Sequence, residues 1–317
     1  MYAWFDFVLE VALAGIYSRP ENSRMGLIRH MGKRIYFCGL WALAAMFLSG
    51  CDGIVGIFQE HQQASVLEKN ISDAAKRSIV IYDMHVHPRN GLTPEMAIAR
   101  EKSTGIKVAV IANHGRGWNI DNDEKLLAFL EKMKKPTVDG KHLLVGVQVN
   151  DRDWPSRISP KVLEKFDYVL ADALIMKNDD GSFTKLWKVK NIENPQKWME
   201  KFFAHNMKIL DEPITIFSNP TYLPKCLANQ YDELWTDERI EALVKKAVEK
   251  GIVLEIQAQC RFQANPRFMQ IAKKHGAKFS FASNNKGTEE VCLDSWFEAI
   301  RLGDLNGADI WTPPPRN

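Results

Sequence analysis

Residues 79–87 read Ile79-Val80-Ile81-Tyr82-Asp83-Met84-His85-Val86-His87. A short apolar run ending in alternating histidines has the pattern of a strand buried on both faces that delivers polar side chains at its carboxyl end. Six further apolar runs follow, at 106–112, 143–149, 168–171, 214–217, 252–256 and 278–282. The segments between them carry helix signals. Thr93-Pro94, Ser159-Pro160, Asn194-Pro195 and Asn265-Pro266 each set a capping residue before a proline suited to the first helical turn. After Thr236, apolar Ile240, Leu243, Val244, Ala247 and Val248 recur at spacings of three and four, and the pattern stops at Gly251. The helix after Asn265 stops in the same way at Gly276. Seven strand–helix repeats, with no internal sequence repeat, call for a parallel sheet that is either a closed barrel or an open doubly wound sheet.

Working outward toward the N-terminus, residues 51–78 are polar and read as a tether with at most one short helix. Before them, Met31-Gly32-Lys33-Arg34 is a basic segment, followed by an apolar run over residues 35–48 and then Leu48-Ser49-Gly50-Cys51. A basic flank and an apolar stretch ending in small residues describe an export signal. The run is also short of the roughly 20 residues a membrane-spanning helix needs. Leu-Ser-Gly-Cys resembles a lipobox, which implies lipidation of Cys51, a signal peptide over 31–50 and a lipid anchor on a bacterial membrane, facing the periplasm or the outside. Residues 1–30 fit this badly. A start at Met25 or Met31 would make them a start-site artefact, the alternative being an extra anchor.

Composition bounds the rest. The chain has 317 residues with a formal charge of +3, too small and too evenly spread for a nucleic-acid-binding surface. Cys226, Cys260 and Cys292 are widely spaced and odd in number, which excludes a disulfide framework and a CxxC zinc pattern. Each is expected to be a buried small hydrophobe.

In β/α folds, function collects at the carboxyl ends of the strands. There the chain offers Asp83, His85 and His87, then Asn113-His114-Gly115, then Gln148, Asn150 and Asp151. Asp172, Asn219-Pro220, Glu255 with Gln257, and Ser283-Asn284-Asn285-Lys286 follow the later strands. His-x-His at a strand end puts both imidazoles on one side. Imidazole, carboxylate and amide oxygen together suit zinc, manganese or iron better than calcium.

Three of these stretches carry a family resemblance. Asp83-Met84-His85-Val86-His87, Ala112-Asn113-His114-Gly115 and Val253-Leu254-Glu255-Ile256-Gln257 resemble the opening His-x-His, the Asp-His element and the Glu-Ile-Asn element of the PHP (polymerase and histidinol phosphatase) family. The resemblance covers about residues 79–312. It implies a distorted TIM-like (β/α)7 barrel over 79–317 that binds two or three metal ions and hydrolyses phosphate esters. The chain departs from the pattern at Gln148, where the family has a bridging glutamate, and after the fourth strand, where a histidine is missing near Asp172. Asn219-Pro220 replaces His-Pro, and Asn284-Asn285-Lys286 replaces the closing Asp-x-His. Amides bring no charge, so one divalent ion is the expectation rather than a full cluster.

The expected metal ligands are His85, His87, His114, Asp172 and Glu255. His114 is also expected to bind a second ion or act as general acid–base, with Asp83 holding a histidine tautomer and Arg116 orienting an anionic group. Arg89, Arg116, Trp118, Asn219, Asn284 and Asn285 are the expected substrate contacts. Blander roles stand beside these: Asp172 as a helix cap, Glu255 as the buried partner of a cation, the asparagines and arginines as ordinary loop residues. The leading expectation is a metal-dependent hydrolase of the cell envelope acting on a small-molecule or envelope-derived substrate. A catalytically weakened barrel that binds an envelope ligand is one alternative. An amidohydrolase-like deacylase or sugar-processing enzyme, with Lys286 its only late-strand lysine, is the other.

Overall fold

The short apolar runs and amphipathic segments alternate as expected in the computed structural model, which describes residues 66–89, 91–135, 142–178, 180–258, 265–287 and 293–314. The strands are β1 (Tyr82–Val86), β2 (Lys107–His114), β3 (Leu144–Val149), β4 (Tyr168–Asp172), β5 (Ile175–Lys177), β6 (Phe183–Lys185), β7 (Ile216–Ser218), β8 (Val253–Gln257) and β9 (Phe279–Ala282). β5 and β6 pair only with each other, as an antiparallel hairpin, which the sequence reading did not anticipate. The others run parallel in the order β1-β2-β3-β4-β7-β8-β9, and β9 returns to β1 to close a seven-stranded barrel. Closure decides between the two architectures the sequence left open.

The helices are α1 (residues 66–76), α2 (Pro94–Thr104), α3 (Asp123–Met133), α4 (Pro160–Leu163), α5 (Pro195–Ile209), α6 (Tyr231–Leu234), α7 (Asp237–Glu249), α8 (Pro266–Lys274) and α9 (Asp294–Leu302). Their starts follow the capping chemistry. Thr93, Asn194, Thr236 and Asn265 accept backbone N–H groups of the first turn through their side chains, a contact worth about 1 kcal/mol each. Ser159 makes no such bond; its own N–H is held by the Asp123 carboxylate.

Two expectations are corrected. Residues 66–78 do not form a polar tether apart from the barrel: α1 buries Ala74 in the barrel's core, with Leu67 and Ile71 packed beside it. The Ile79 N–H bonds back to Ala74, so the first residues of the run at 79 finish the helix and β1 starts only at Tyr82. Cys226 is exposed rather than a buried hydrophobe. The signal segment, Cys51, Cys260 and Cys292 lie outside the described residues.

Strand alternation sorts side chains into two apolar layers. Outward-facing residues such as Val108, Val110, Val145 and Val147 pack with the helices in one large core. Inward-facing Met84, Ala109, Ile111, Tyr168, Leu170, Ile216 and Val253 fill the lower barrel, closed beneath by Tyr82, Leu144 and Trp311. Gly146 makes room for this plug. A Cβ there would lie 2.4 Å from two carbons of the Tyr168 ring, so only hydrogen fits. Above the plug the same inward positions turn polar: Asn113 after Ile111, Gln148 after Gly146, Asp172 after Leu170, Ser218 after Ile216, and Glu255 and Gln257 after Val253.

Candidate active site at the carboxyl ends of the barrel strands

The histidine pair reaches this polar layer through a break in strand register. From Asp83 to Val86 β1 advances three residues, while its partner β2 advances two, from Val108 to Val110. The extra residue is a β-bulge, a device that re-aims side chains beside functional sites. Met84 fills the interior plug and Val86 packs outward, while the shift lets His85 also turn inward. The Tyr168 hydroxyl crosses the barrel to donate to the Met84 carbonyl at 2.5 Å, tying the bulge in place. His85 and His87 stand with ring centres 5.1 Å apart.

His85 Nδ1 lies 2.7 Å from Glu255 Oε2, both side chains fully buried. The other Glu255 oxygen accepts from the Ser218 hydroxyl at 2.6 Å and, more distantly, from Gln257 Nε2 and the Asn219 N–H. Burial by itself would press His85 toward the neutral form. The Glu255 carboxylate, aided by Asp172 and Asp83, outweighs it and holds the imidazole above its ordinary range. His85 Nε2 is buried and meets no hydrogen-bond partner among the described residues.

Asp172 closes β4 and is the second buried carboxylate. Its oxygens accept from Gln148 Nε2 at 3.0 Å, Asn219 Nδ2 at 3.2 Å and the Leu174 N–H at 2.9 Å. Burial raises its pKa. Because both amides spend their NH2 groups on Asp172, the oxygens Gln148 Oε1 and Asn219 Oδ1 are left buried without donors among the described residues. Such orphaned acceptors carry a cost unless water, a ligand or a cation meets them.

His87 is held by its backbone N–H on the Asn285 carbonyl at 2.8 Å and by Nε2 beside Asn284 Oδ1 at 3.1 Å. Burial first, then the neighbouring His85, Arg89 and Lys286, press its pKa well below the ordinary histidine value, so it is neutral. Asn219 and Asn284 both have left-handed backbone, φ 56 and φ 50, which asparagine tolerates better than most residues.

These groups open onto a cleft of about 480 Å³ at the carboxyl ends of the strands. His87, Asp172, Asn219, Asn284 and the amides of Asn113, Gln148, Asn150 and Gln257 line its depth. Arg89, Trp118, Trp187, Tyr222, Lys225 and Lys286 line its rim and walls. The cleft therefore brings together His87, Asp172, Arg89, Trp118, Asn219 and Asn284 of the expected set, with the His85–Glu255 pair packed behind it.

Four expected residues stand elsewhere. His114 is fully buried on the outer face of β2, because Asn113 takes the inward position after Ile111; it sits among Arg157, Asp151 and Asp121 and does not line the cleft. Burial and Arg157 lower its pKa. Asp83 accepts from the backbone N–H of Ser283 at 2.9 Å and of His85 at 3.4 Å, so it fixes backbone rather than a histidine tautomer. Arg116 is exposed and paired with Asp153, while its N–H bonds Asp151 at 2.7 Å and anchors the Trp118 loop. Asn285 contributes its backbone to β1, through a bridge to Val86, and not a side chain to the cleft. Among the described residues, no three His, Cys, Asp or Glu side chains converge as a metal-holding group.

The sequence reading missed the cleft roles of Tyr222 and Lys225, which lie in the segment between β7 and α6. Asn113, Gln148 and Gln257 were legible as polar residues at inward strand positions, but nothing local marked them above their neighbours.

No protein-family model and no curated protein matches the chain. Among solved structures it is similar to a chain in the cryo-EM structure of archaeal ribonuclease P with mature tRNA, at 13% identity and a TM-score of 0.34. That likeness covers 70% of this chain and 90% of the other. At this level it carries no argument about function.

Proposed function

We propose that the chain is a metal-dependent hydrolase of the PHP type, working with one divalent ion in the cleft at the carboxyl end of the barrel. The observation that carries this reading is the set of buried acceptors around Asp172. Among the described residues Gln148 Oε1 and Asn219 Oδ1 lack a donor, His85 Nε2 meets no partner, and Glu255 orients His85 through Nδ1. A carboxylate behind a histidine whose other nitrogen is left open is a common support for a metal ligand. The donor set suits zinc, manganese or iron, with His85, Asp172, Gln148 and Asn219 the residues to hold it. The chemistry the ion supplies when bound is Lewis-acid polarisation of the scissile group.

This chain's own residues do the rest. With Nε2–H given to Asn284 Oδ1, neutral His87 keeps its basic lone pair on Nδ1, where it takes a proton from the attacking water and returns it to the leaving group. His87 thus takes the acid–base role that the sequence suggested for His114. Arg89, Lys225 and Lys286 draw an anionic substrate to the rim. Placement at the cell envelope rests on the lipobox-like Leu48-Ser49-Gly50-Cys51 alone.

The test is elemental analysis of the chain purified without chelator, beside the His85→Ala/His87→Ala double variant, with folding checked by circular dichroism. One ion per parent chain, lost in the folded variant, is the expected result. Equal metal content in the two would sink the assignment. No ion in the parent, even after reconstitution, would favour the second reading, a barrel that binds an envelope ligand without turning it over. The amides standing where the resembled family carries charged ligands motivate that reading.

A further inference from the structure

We propose that the cleft takes an acidic oligosaccharide, a short glycan bearing carboxylates such as a uronate, laid along its rim and walls. This rests on the reading of the cleft as the active site and adds the class of substrate.

Two features of the lining point to a sugar. Trp118, Trp187 and Tyr222 present aromatic surface from three separate connections between barrel strands. The faces of these rings carry negative charge and suit the weakly positive C–H face of a pyranose. The depth of the cleft is lined by amides, among them Asn113, Asn150 and Asn284. Asn150 spends its NH2 group on Asn113 Oδ1 and the His114 carbonyl, and Asn284 Oδ1 faces His87. Among the described residues this leaves the NH2 donors of Asn113 and Asn284 and the Asn150 oxygen, and a sugar hydroxyl, itself donor and acceptor, meets either kind. A phosphate or a carboxylate, which only accepts, leaves the oxygen unmet. The lining therefore asks for hydroxyls within and negative charge outside.

Among the described residues the charge at the rim has one sign. Arg89, Lys225 and Lys286 line the opening, and Asp172, the one acidic residue of the described lining, is buried and held by amides. Lys185, on β6, adds a further cation: its Nζ lies 5.2 Å from the ring centre of Trp118 and 5.9 Å from that of Trp187. Arg89 also lies over Trp118, at 5.8 Å. Because Lys185 reaches both indoles, a ligand that covers the rings must also draw that cation to itself. The carboxylates of an acidic glycan do so, and its sugar rings then meet the indole faces.

The experiment is calorimetric titration of the full chain in detergent with trigalacturonate, maltotriose and adenosine monophosphate. Trigalacturonate is expected to bind at least about tenfold tighter than neutral maltotriose at low salt, and the gap to narrow as salt screens the rim. Trp118→Ala and Trp187→Ala are each expected to weaken trigalacturonate by about five- to tenfold. Trp187 is 46% exposed, so its removal leaves the core intact. Equal affinity for the two trisaccharides, or tighter binding of adenosine monophosphate, overturns the proposal. The same titration on chelator-treated chain separates it from the hydrolase reading. Trigalacturonate binding by a chain that never holds metal sinks the hydrolase and leaves this inference standing. A chain that holds its ion but ignores trigalacturonate overturns this inference alone.

Discussion

β1 and β2 are neighbours in the barrel, and each carries a histidine at its carboxyl end, yet the two ends do opposite things. His85 turns into the barrel and meets Glu255, and its pKa is held up. His114 turns out toward the helices, among Arg157, Asp151 and Asp121, and its pKa is pressed down by burial. The difference is one bulged residue in β1 and none at the corresponding place in β2. Strand parity assigns faces only while the ladder is regular. A histidine at a strand end is therefore a candidate ligand or base only once the register is known.

The comparison can be broken hardest at Glu255. Glu255→Ala leaves the His85 side chain buried without its carboxylate, and is expected to cost about 3–5 kcal/mol in urea unfolding. A loss below about 1 kcal/mol would mean that the pair is not formed, since a buried pair that loses one partner costs several times that.

Acid should separate the inward and outward histidines next. His205, on α5, stands outside the barrel as His114 does, and burial with the nearby Arg152 pushes it down to about 4. The folded chain thus resists a proton that the unfolded chain accepts. Its contribution is intact above the unfolded value near 6.5 and is lost as pH falls from there toward 4, by up to about 3 kcal/mol. Thermal melts between pH 7 and 4 should show the loss, and His205→Gln should flatten it. A parallel fall in the variant would place the acid sensitivity elsewhere.

Tyr168→Phe sharpens the comparison more gently. It removes the hydroxyl that holds the Met84 carbonyl and should cost about 1 kcal/mol. The side-chain NMR signals of His85 should shift while those of His114 stay put. Unshifted His85 signals would show that the bulge holds without the tyrosine. The smallest effect is expected from His114→Gln: about 1 kcal/mol or less in stability, and metal content equal to the parent's. Loss of the ion in that variant would return His114 to the site.

Much of the fold was legible because its signals are local. The seven apolar runs became the seven barrel strands, and Thr93, Asn194, Thr236 and Asn265 capped the helices they precede, since a cap needs only its own first turn. The β5–β6 hairpin was missed because its strands are three residues each and Ile175 alone is buried, too little to set an alternation. The stretch around α1 reads as a tether because polar residues dominate it, while the apolar few, Leu67, Ile71 and Ala74, find the barrel.

The order of strands and helices, their caps and the gathering of polar residues at the carboxyl ends of the strands follow from the chain's own pattern. Periodicity and capping are properties of a few consecutive residues. Barrel closure, the turn of His85 inward and of His114 outward, and the pairing of His85 with Glu255, 170 positions apart, belong to the tertiary structure. The bulge depends on a neighbouring strand to be offset against and on Tyr168 reaching across the space that Gly146 leaves. A contact between strands so distant in sequence exists only once the sheet has come round to meet itself.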